Sequence, residues 1–174
     1  MFLVMHPGFF ERASIRQIDP EDVYEEMVLD LKAYQPAPPV PVKGGIQFRL
    51  WTESKDPLVQ AVQKVDPDWV SIYESSQAPV LCGLGGDRIC SFCLLEAMRS
   101  YQGLRIGGPG CVGTIPEARG RGIGLRMVQL ATEYFWREGY DLSYIHYTGV
   151  APWYAKLGYR TILTWNRNGF VVTE

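Results

Sequence analysis

The sequence predicts a mixed α/β fold, and three stretches of the chain indicate it. A glycine-rich turn joins a strand to a long helix between Cys111 and Arg126. Upstream of it, two strand-like segments, 80–84 and 89–96, flank the hairpin turn Gly-Gly-Asp-Arg. Downstream, the segment 142–172 predicts a strand, a short helix and a closing hairpin. This alternation is typical of a mixed sheet that is covered by helices.

The length and composition are those of an ordinary globular protein. The 174 residues, of which 47% are hydrophobic and 21% charged, predict one domain, or one domain with an extension. The net charge of −2 provides no basic surface for nucleic acid. No apolar run reaches the length of a membrane span, and the apolar residues 1–7 lack a basic leader and a cleavage site. We therefore expect a cytoplasmic protein that binds neither nucleic acid nor membrane.

The four cysteines are Cys82, Cys90, Cys93 and Cys111. Cys90 and Cys93 have the C-x-x-C spacing of a zinc site, but they fall within a predicted strand. Side chains three residues apart on a strand point to opposite faces, so both cannot hold one ion without a bulge. We expect no metal site, and buried cysteines in a reducing compartment.

The N-terminal region has a pattern of its own. The sequence Asp-Pro-Glu-Asp at 19–22 supplies a helix cap, and the apolar residues of 23–34 recur at helical spacing. We therefore predict an amphipathic helix over 19–34 that packs on the domain or on a second subunit of a homodimer. Residues 14–18 are a candidate short strand. The proline-rich segment 36–41, ending at Gly44-Gly45, predicts a boundary between an extension, 1–45, and a domain, 46–174. One domain over 1–174 is the alternative, if 14–18 is the first strand of the sheet.

The elements after this boundary follow from hydrophobic periodicity and from glycine and proline positions. Strands are predicted at 46–51, 80–84, 89–96, 104–115, 142–147, 159–165 and 170–172. Helices are predicted at 56–65, 123–138 and 152–157, with Asp66-Pro67-Asp68-Trp69 ending the first or starting a short second one.

The turn before the long helix has the properties of an anion site. Gly120, Gly122 and Gly124 lack Cβ atoms, so backbone N–H groups can approach a bound group closely. The helix N-terminus adds positive potential, and Arg119 and Arg121 add charge. A pyrophosphate is the anion that this arrangement favours.

Two motifs carry a resemblance to a known family. The run Arg119-Gly120-Arg121-Gly122-Ile123-Gly124 and the run Trp153-Tyr154-Ala155-Lys156-Leu157-Gly158-Tyr159 resemble two signatures of the GNAT superfamily of acyl-CoA-dependent N-acyltransferases. The resemblance covers 46 to the C-terminus, most securely 112–159. It implies a GNAT-like mixed sheet flanked by helices, whose fourth and fifth strands, here 104–115 and 142–147, splay apart to leave a slot for pantetheine.

The resemblance also implies roles for individual residues, with acetyl-CoA as the cosubstrate. Tyr154 matches a tyrosine that donates a proton to the leaving CoA thiolate. Thr148 stands where the family often has an asparagine that contacts the cofactor. The cofactor-binding positions are Val112, Gly113 and Thr114 for pantetheine, Arg119, Gly120, Arg121, Gly122, Ile123 and Gly124 for pyrophosphate, and Thr148 and Lys156 beside them.

The proton acceptor for the amine is not identified by the resemblance, since 104–115 carries no carboxylate. Glu96 and His146, each near the end of a predicted strand, could accept a proton directly or through water. Glu96 could equally be a solvated strand end, and His146 a hydrogen-bonded histidine at the edge of the core. Asp66, Asp68 and Glu74 could attract a cationic amine or lie in a solvated loop, and Trp69 and Tyr73 could wall an acceptor pocket or pack in the core.

The sequence therefore predicts an N-acetyltransferase that transfers an acetyl group from acetyl-CoA directly to a primary amine. The acceptor, a small molecule or a peptide, stays open. The alternative is a noncatalytic acyl-CoA-binding or protein-interaction module that kept the cofactor turn.

Overall fold

The computed structural model describes residues 2, 23–166 and 169–170. The candidate strand 14–18, the cap at 19–22 and the end of the last hairpin at 171–172 lie outside these residues. Within them the elements, in chain order, are β1 Tyr24–Asp30, β2 Gln47–Leu50, α1 Lys55–Gln63, α2 Val70–Ser75, β3 Val80–Gly85, β4 Arg88–Ala97, β5 Ile106–Thr114, α3 Ile123–Arg137, β6 Leu142–Thr148, α4 Ala151–Ala155, β7 Arg160–Asn166 and β8 Gly169–Phe170.

These strands form a mixed sheet in the order β2-β3-β4-β5-β6-β1-β7-β8. The predicted mixed α/β fold is thus confirmed. The elements predicted after residue 45 agree with the observed ones to within a few residues, and α2 follows the short 3₁₀ helix Pro67–Trp69.

The helix predicted over 19–34 is wrong for the residues that the structure describes. Tyr24–Asp30 is a strand, β1, which pairs antiparallel with β6 on one side and with β7 on the other. Glu26, Met27 and Val28 are buried in succession, because a strand that is covered on both faces needs no alternation of polar and apolar residues. Its apolar residues therefore matched helical spacing by chance. Strands from both sides of the boundary predicted at residue 45 therefore belong to the same sheet.

β5 and β6 separate after a short parallel pairing, Ile106 with Leu142 and Gly107 with Ser143. At the next residue the strands approach so closely that a Cβ on Gly108 would lie 1.9 Å from the carbonyl oxygen of Tyr144. The strands then diverge, as predicted. β5 also has a bulge after this point, where Cys111 has a φ of 43°.

Helices cover both faces of the sheet. Side chains of β4 alternate between them, so that Phe92 and Leu94 pack towards α1 and α2, while Cys93 and Leu95 pack towards α3. The apolar side chains that α3 buries are those of Ile123, Met127, Val128, Ala131 and Phe135. Cys90 and Cys93 are buried in different clusters, in agreement with the prediction that they face opposite sides.

The proline-rich segment runs along α3 instead of standing apart from it. The Gln129 side-chain amide donates to the carbonyls of Ala37 and Pro38, at 3.1 and 3.0 Å. Its oxygen accepts the backbone N–H of Val40 at 2.8 Å. One buried glutamine therefore anchors this segment to the helix.

Among the described helices, none combines the length and the apolar character that crossing a bilayer would require.

Candidate active site

A cavity of about 500 Å³ lies where β5 and β6 diverge. Three side chains that the sequence singled out for acid–base chemistry line it, from three different elements: Glu96 of β4, His146 of β6 and Tyr154 of α4. Val112 and Thr148 line it as well. The splay thus gathers residues of β4, β5, β6 and α4 into one slot.

Tyr154 faces this slot from α4, where edge contacts to the rings of Trp153 and Tyr159 hold it. Its side chain is largely buried, and burial raises the pKa of its hydroxyl, with smaller contributions from nearby cysteines and Tyr159. Within the described residues, no hydrogen-bond partner of that hydroxyl is found. Tyr154 is therefore a protonated phenol at neutral pH, able to donate into the cavity.

Glu26, on β1, is fully buried behind the slot. Its carboxylate accepts hydrogen bonds from the Tyr144 hydroxyl, from His146 Nδ1 at 2.9 Å, from Trp165 Nε1 at 2.8 Å and from the Tyr147 backbone N–H at 3.2 Å. Burial alone would raise the pKa of Glu26. The hydrogen bonds from His146, Tyr144 and Trp165 and the charge of His146 outweigh burial and lower that pKa. Glu26 is therefore a buried, ionised carboxylate.

Sequence reasoning did not single out Glu26, because the residue fell within a predicted helix. The signal that could have found it is an acidic residue directly before the apolar run Met27-Val28-Leu29, which fits a strand at least as well as a helix.

Glu96, in contrast, lies near the end of β4 as a partly buried carboxyl. Burial raises its pKa, and the charge of His146 offsets this only in part. In the part of the chain that the structure describes, no hydrogen bond to the carboxyl group of Glu96 is found. The side chain packs over Gly110, where an added Cβ would lie 2.5 Å from its carboxyl carbon. Glu96 therefore lines the cavity and is not the solvated strand end that was one alternative.

The glycine turn begins α3, with Gly122 as N-cap at a φ of 80°. A Cβ on Gly122 would lie 2.3 Å from the Pro41 carbonyl oxygen, whereas one on Gly120 would meet nothing within 4 Å. Gly124 lies under Trp153, since a Cβ added to Gly124 would lie 3.3 Å from the Trp153 ring. The start of α3 and α4 therefore meet beside the slot. Open backbone at Gly120 and the helix N-terminus fit the approach of a pyrophosphate.

The two arginines of this turn have different partners. Arg121 donates from its guanidinium to the carbonyls of Lys43 and Gly44, at 3.1 and 3.0 Å. Arg119 Nε donates to the Thr114 carbonyl at 3.2 Å. Arg121 thus fastens the proline-rich segment to the turn, and Arg119 links the turn to the end of β5.

Other predicted cofactor residues have structural partners of their own. Gly113 lies against Phe92, whose ring would be 2.2 Å from an added Cβ. The Thr114 hydroxyl lies 3.1 Å from that of Ser91, and Ile123 is buried in the core. The Thr148 hydroxyl accepts the Val150 backbone N–H at 3.1 Å.

Lys156 does not line the slot. It lies at a second cavity of about 490 Å³, between β1, α3 and the end of α4. Its place after the single turn of α4 directs it to the other side of that helix from Tyr154.

The predicted acceptor-side residues divide between wall and core. Trp69 lines the slot, whereas Tyr73 is buried and donates from its hydroxyl to the Cys111 carbonyl at 2.8 Å, supporting the bulge of β5. Asp66 caps the 3₁₀ helix by accepting the Asp68 N–H at 3.0 Å.

Comparison with solved structures identifies the fold. The glucosamine N-acetyltransferase region of a fungal multi-domain GH3 beta-N-acetylglucosaminidase matches with a TM-score of 0.70 and 23% identity, over 95% of this chain and 22% of that chain. A GCN5-related N-acetyltransferase from Sphaerobacter thermophilus matches with a TM-score of 0.63 and 21% identity, over 85% of this chain and 51% of that chain. A protein described as an acetyltransferase of the GNAT family, from Novosphingobium aromaticivorans, matches with a TM-score of 0.59 and 18% identity, over 87% of this chain and 68% of that chain.

The chain spans about a fifth of the first of these proteins and about half of the second. No protein-family model matches the chain, and no curated protein matches its sequence. At these identities the likeness concerns the fold.

Proposed function

We propose that this chain, which has the GNAT fold, is an N-acetyltransferase that moves an acetyl group from acetyl-CoA to a primary amine. The observation that carries the proposal is the slot between β5 and β6. An uncharged phenol, Tyr154, and two groups able to accept a proton, Glu96 and His146, line it together. Aminolysis of a thioester needs a proton acceptor for the amine and a donor for the leaving sulfur.

The donor substrate would lie along the diverging strand. The main chain of Val112, Gly113 and Thr114 would pair with pantetheine, and the turn at Gly120 and the start of α3 would hold the pyrophosphate. The amine nitrogen would attack the thioester carbonyl carbon, and the C–S bond would break as Tyr154 gives its proton to sulfur. Direct transfer of this kind needs no covalent enzyme intermediate.

Replacement of Tyr154 by Phe tests the proposal. We expect kcat to fall by about 100-fold with an unchanged Kd for acetyl-CoA, because the hydroxyl acts on the leaving group and the ring is kept. Tyr101→Phe is the matched control, since this exposed tyrosine lies outside the slot. Turnover is measured as CoA release over a panel of amines, which includes amino sugars because one structural neighbour is described as a glucosamine N-acetyltransferase.

Equal turnover by Tyr154→Phe and wild type would remove Tyr154 from the mechanism. Tight acetyl-CoA binding without turnover on any amine would favour the noncatalytic acyl-CoA-binding module.

A further inference from the structure

His146 occupies a position that the buried carboxylate of β1 defines. Its side chain is 24% exposed and lines the slot, while its Nδ1 lies 2.9 Å from Glu26 Oε2. Tyr144, Trp165 and the Tyr147 backbone donate to the same carboxylate and fix its orientation. A rigid partner on the neighbouring strand therefore holds the imidazole at the wall of the slot.

This contact selects one tautomer of the neutral ring. An ionised carboxylate has no proton to donate, so the nitrogen that contacts Glu26 must carry the hydrogen. With Nδ1 protonated, the lone pair of the neutral imidazole lies on Nε2. The carboxylate thus decides which nitrogen can accept a proton, and it stabilises the imidazolium that forms.

Among the described residues, six titratable groups face His146. Glu26, Tyr144 and Tyr147 lie against it or beside it, and Glu96, Cys111 and Tyr154 line the same slot. The three tyrosines have raised pKa values, and burial raises the pKa of Cys111 to about 12. Of these six groups, the carboxyl groups of Glu26 and Glu96 are therefore the ones that change charge between acidic and neutral pH.

We propose that Glu26 positions His146 as the proton acceptor for the incoming amine, with Nε2 as the accepting atom. This inference rests on the proposed function, and it gives β1 a part in the site. Glu26 is a positioning residue, because it acts through the imidazole.

The proton balance is complete without a further reactant. The amine arrives as an ammonium ion and gives one proton to Nε2, which frees the nitrogen lone pair. The N–C bond then forms, the C–S bond breaks, and the second N–H proton replaces the one that Tyr154 gives to sulfur. Imidazolium releases its proton to water, so each turnover yields an amide, the CoA thiol and one proton.

The tautomer can be measured in the wild-type protein without turnover. Imidazole nitrogen chemical shifts in nitrogen-labelled protein distinguish hydrogen on Nδ1 from hydrogen on Nε2 in the neutral ring. The chain has two histidines, so His146→Gln assigns the signals. We expect the Nδ1–H form for His146. A predominant Nε2–H form would overturn the proposal, even if the protein proves to be an acetyltransferase.

The pH profile of kcat/KM tests the chemical role. We expect His146→Gln to lower kcat/KM by about 100-fold and to abolish the acid limb of the profile. Glu26→Gln should lower it by about tenfold and move the acid limb to lower pH, because an amide stabilises imidazolium less than a carboxylate does. Glu25→Gln is the matched control. This neighbour on β1 is partly exposed, accepts only the Thr161 hydroxyl among the described side chains, and should leave the profile unchanged.

Glu96→Gln separates the two candidate bases. Loss of the acid limb in Glu96→Gln and its retention in His146→Gln would overturn the proposal. If wild-type protein turns over no amine, the proposed function fails, and the tautomer measurement alone still decides the positioning by Glu26. The same measurement serves if Glu26→Gln does not fold.

Discussion

Glu26 and Glu96 lie on opposite sides of His146, yet their surroundings in the sheet move the pKa values of their carboxyl groups in opposite directions. Glu26 is the more buried of the two, but its pKa is lowered, since four donors from β6 and β7 offset its loss of water. Glu96 is less buried, but its pKa is raised, because the end of β4 supplies no donor among the described residues. Donors, more than depth, therefore decide the direction in which the pKa of each carboxyl group moves.

The two carboxyl groups, on the interior strands β1 and β4, therefore have different electrostatic properties. A carboxylate that is surrounded by donors is a fixed charge, which can orient a neighbour. A carboxyl group without donors has no such support for its charge, and burial raises its pKa. Three experiments test the contrast between the two carboxyl groups.

Removal of the Glu26 carboxylate should have the largest effect. We expect Glu26→Ala to lower the free energy of unfolding by about 3 kcal/mol, because the hydroxyl of Tyr144, the indole of Trp165 and His146 all lose their acceptor. Glu96→Ala should lower it by less than about 1 kcal/mol, since no donor is orphaned. Urea unfolding at neutral pH measures both. Equal losses of unfolding free energy in the two variants would show that both carboxyl groups stabilise the fold to the same extent.

Removal of a single donor should have an intermediate effect. Tyr144→Phe should lower the free energy of unfolding by about 1.5 kcal/mol, because Glu26 keeps its other donors. In the Glu26→Ala background the same change should have almost no effect, since the hydroxyl then has no carboxylate to satisfy. A double-mutant cycle by urea unfolding measures this coupling. Additive losses would mean that the hydroxyl stabilises the fold through packing alone.

The pH dependence of stability should show the smallest effect and opposite signs. Glu26 has a folded pKa below its ordinary value of 4.5, so its stabilisation is present above that value and is lost as the pH falls through the folded pKa. Glu96 has a folded pKa above 4.5, so stability increases as the pH falls through that pKa towards 4.5.

We expect Glu26→Gln to flatten the acid loss and Glu96→Gln to remove the gain, in urea unfolding series between about pH 3 and pH 7. The idea fails if the two variants change the pH dependence in the same direction.

The same contrast explains what could be predicted from the sequence. The glycine turn and α3 were predictable, because Gly120, Gly122 and Gly124 form a local motif and the helix after them has clear periodicity. The slot was expected from the resemblance to the GNAT superfamily. Tyr154, Glu96 and His146 were each found as candidates, although only the fold shows that they share one cavity.

β1 and Glu26 were not predictable in this way. The partners of Glu26 lie 118 to 139 residues away, and no local pattern records them. The pattern from Val23 to Tyr34 fits a helix stripe and a fully buried strand equally, and tertiary pairing decided between them. Arg121 shows the same limit, since its partners are carbonyls 77 and 78 residues earlier in the chain.

The place of β1 also sets an order of events during protein synthesis. β1 leaves the ribosome early, but its neighbours β6 and β7 are made more than 100 residues later. The hairpin β3–β4 can form before β1 has any partner. Pairing β1 with β6 closes a loop of more than 100 residues, which slows folding. Until Tyr144, His146 and Trp165 emerge, Glu26 must keep its charge in water. β1 can therefore take its place between β6 and β7 only after both have been made, so a strand that carries a charge enters the interior of the sheet late.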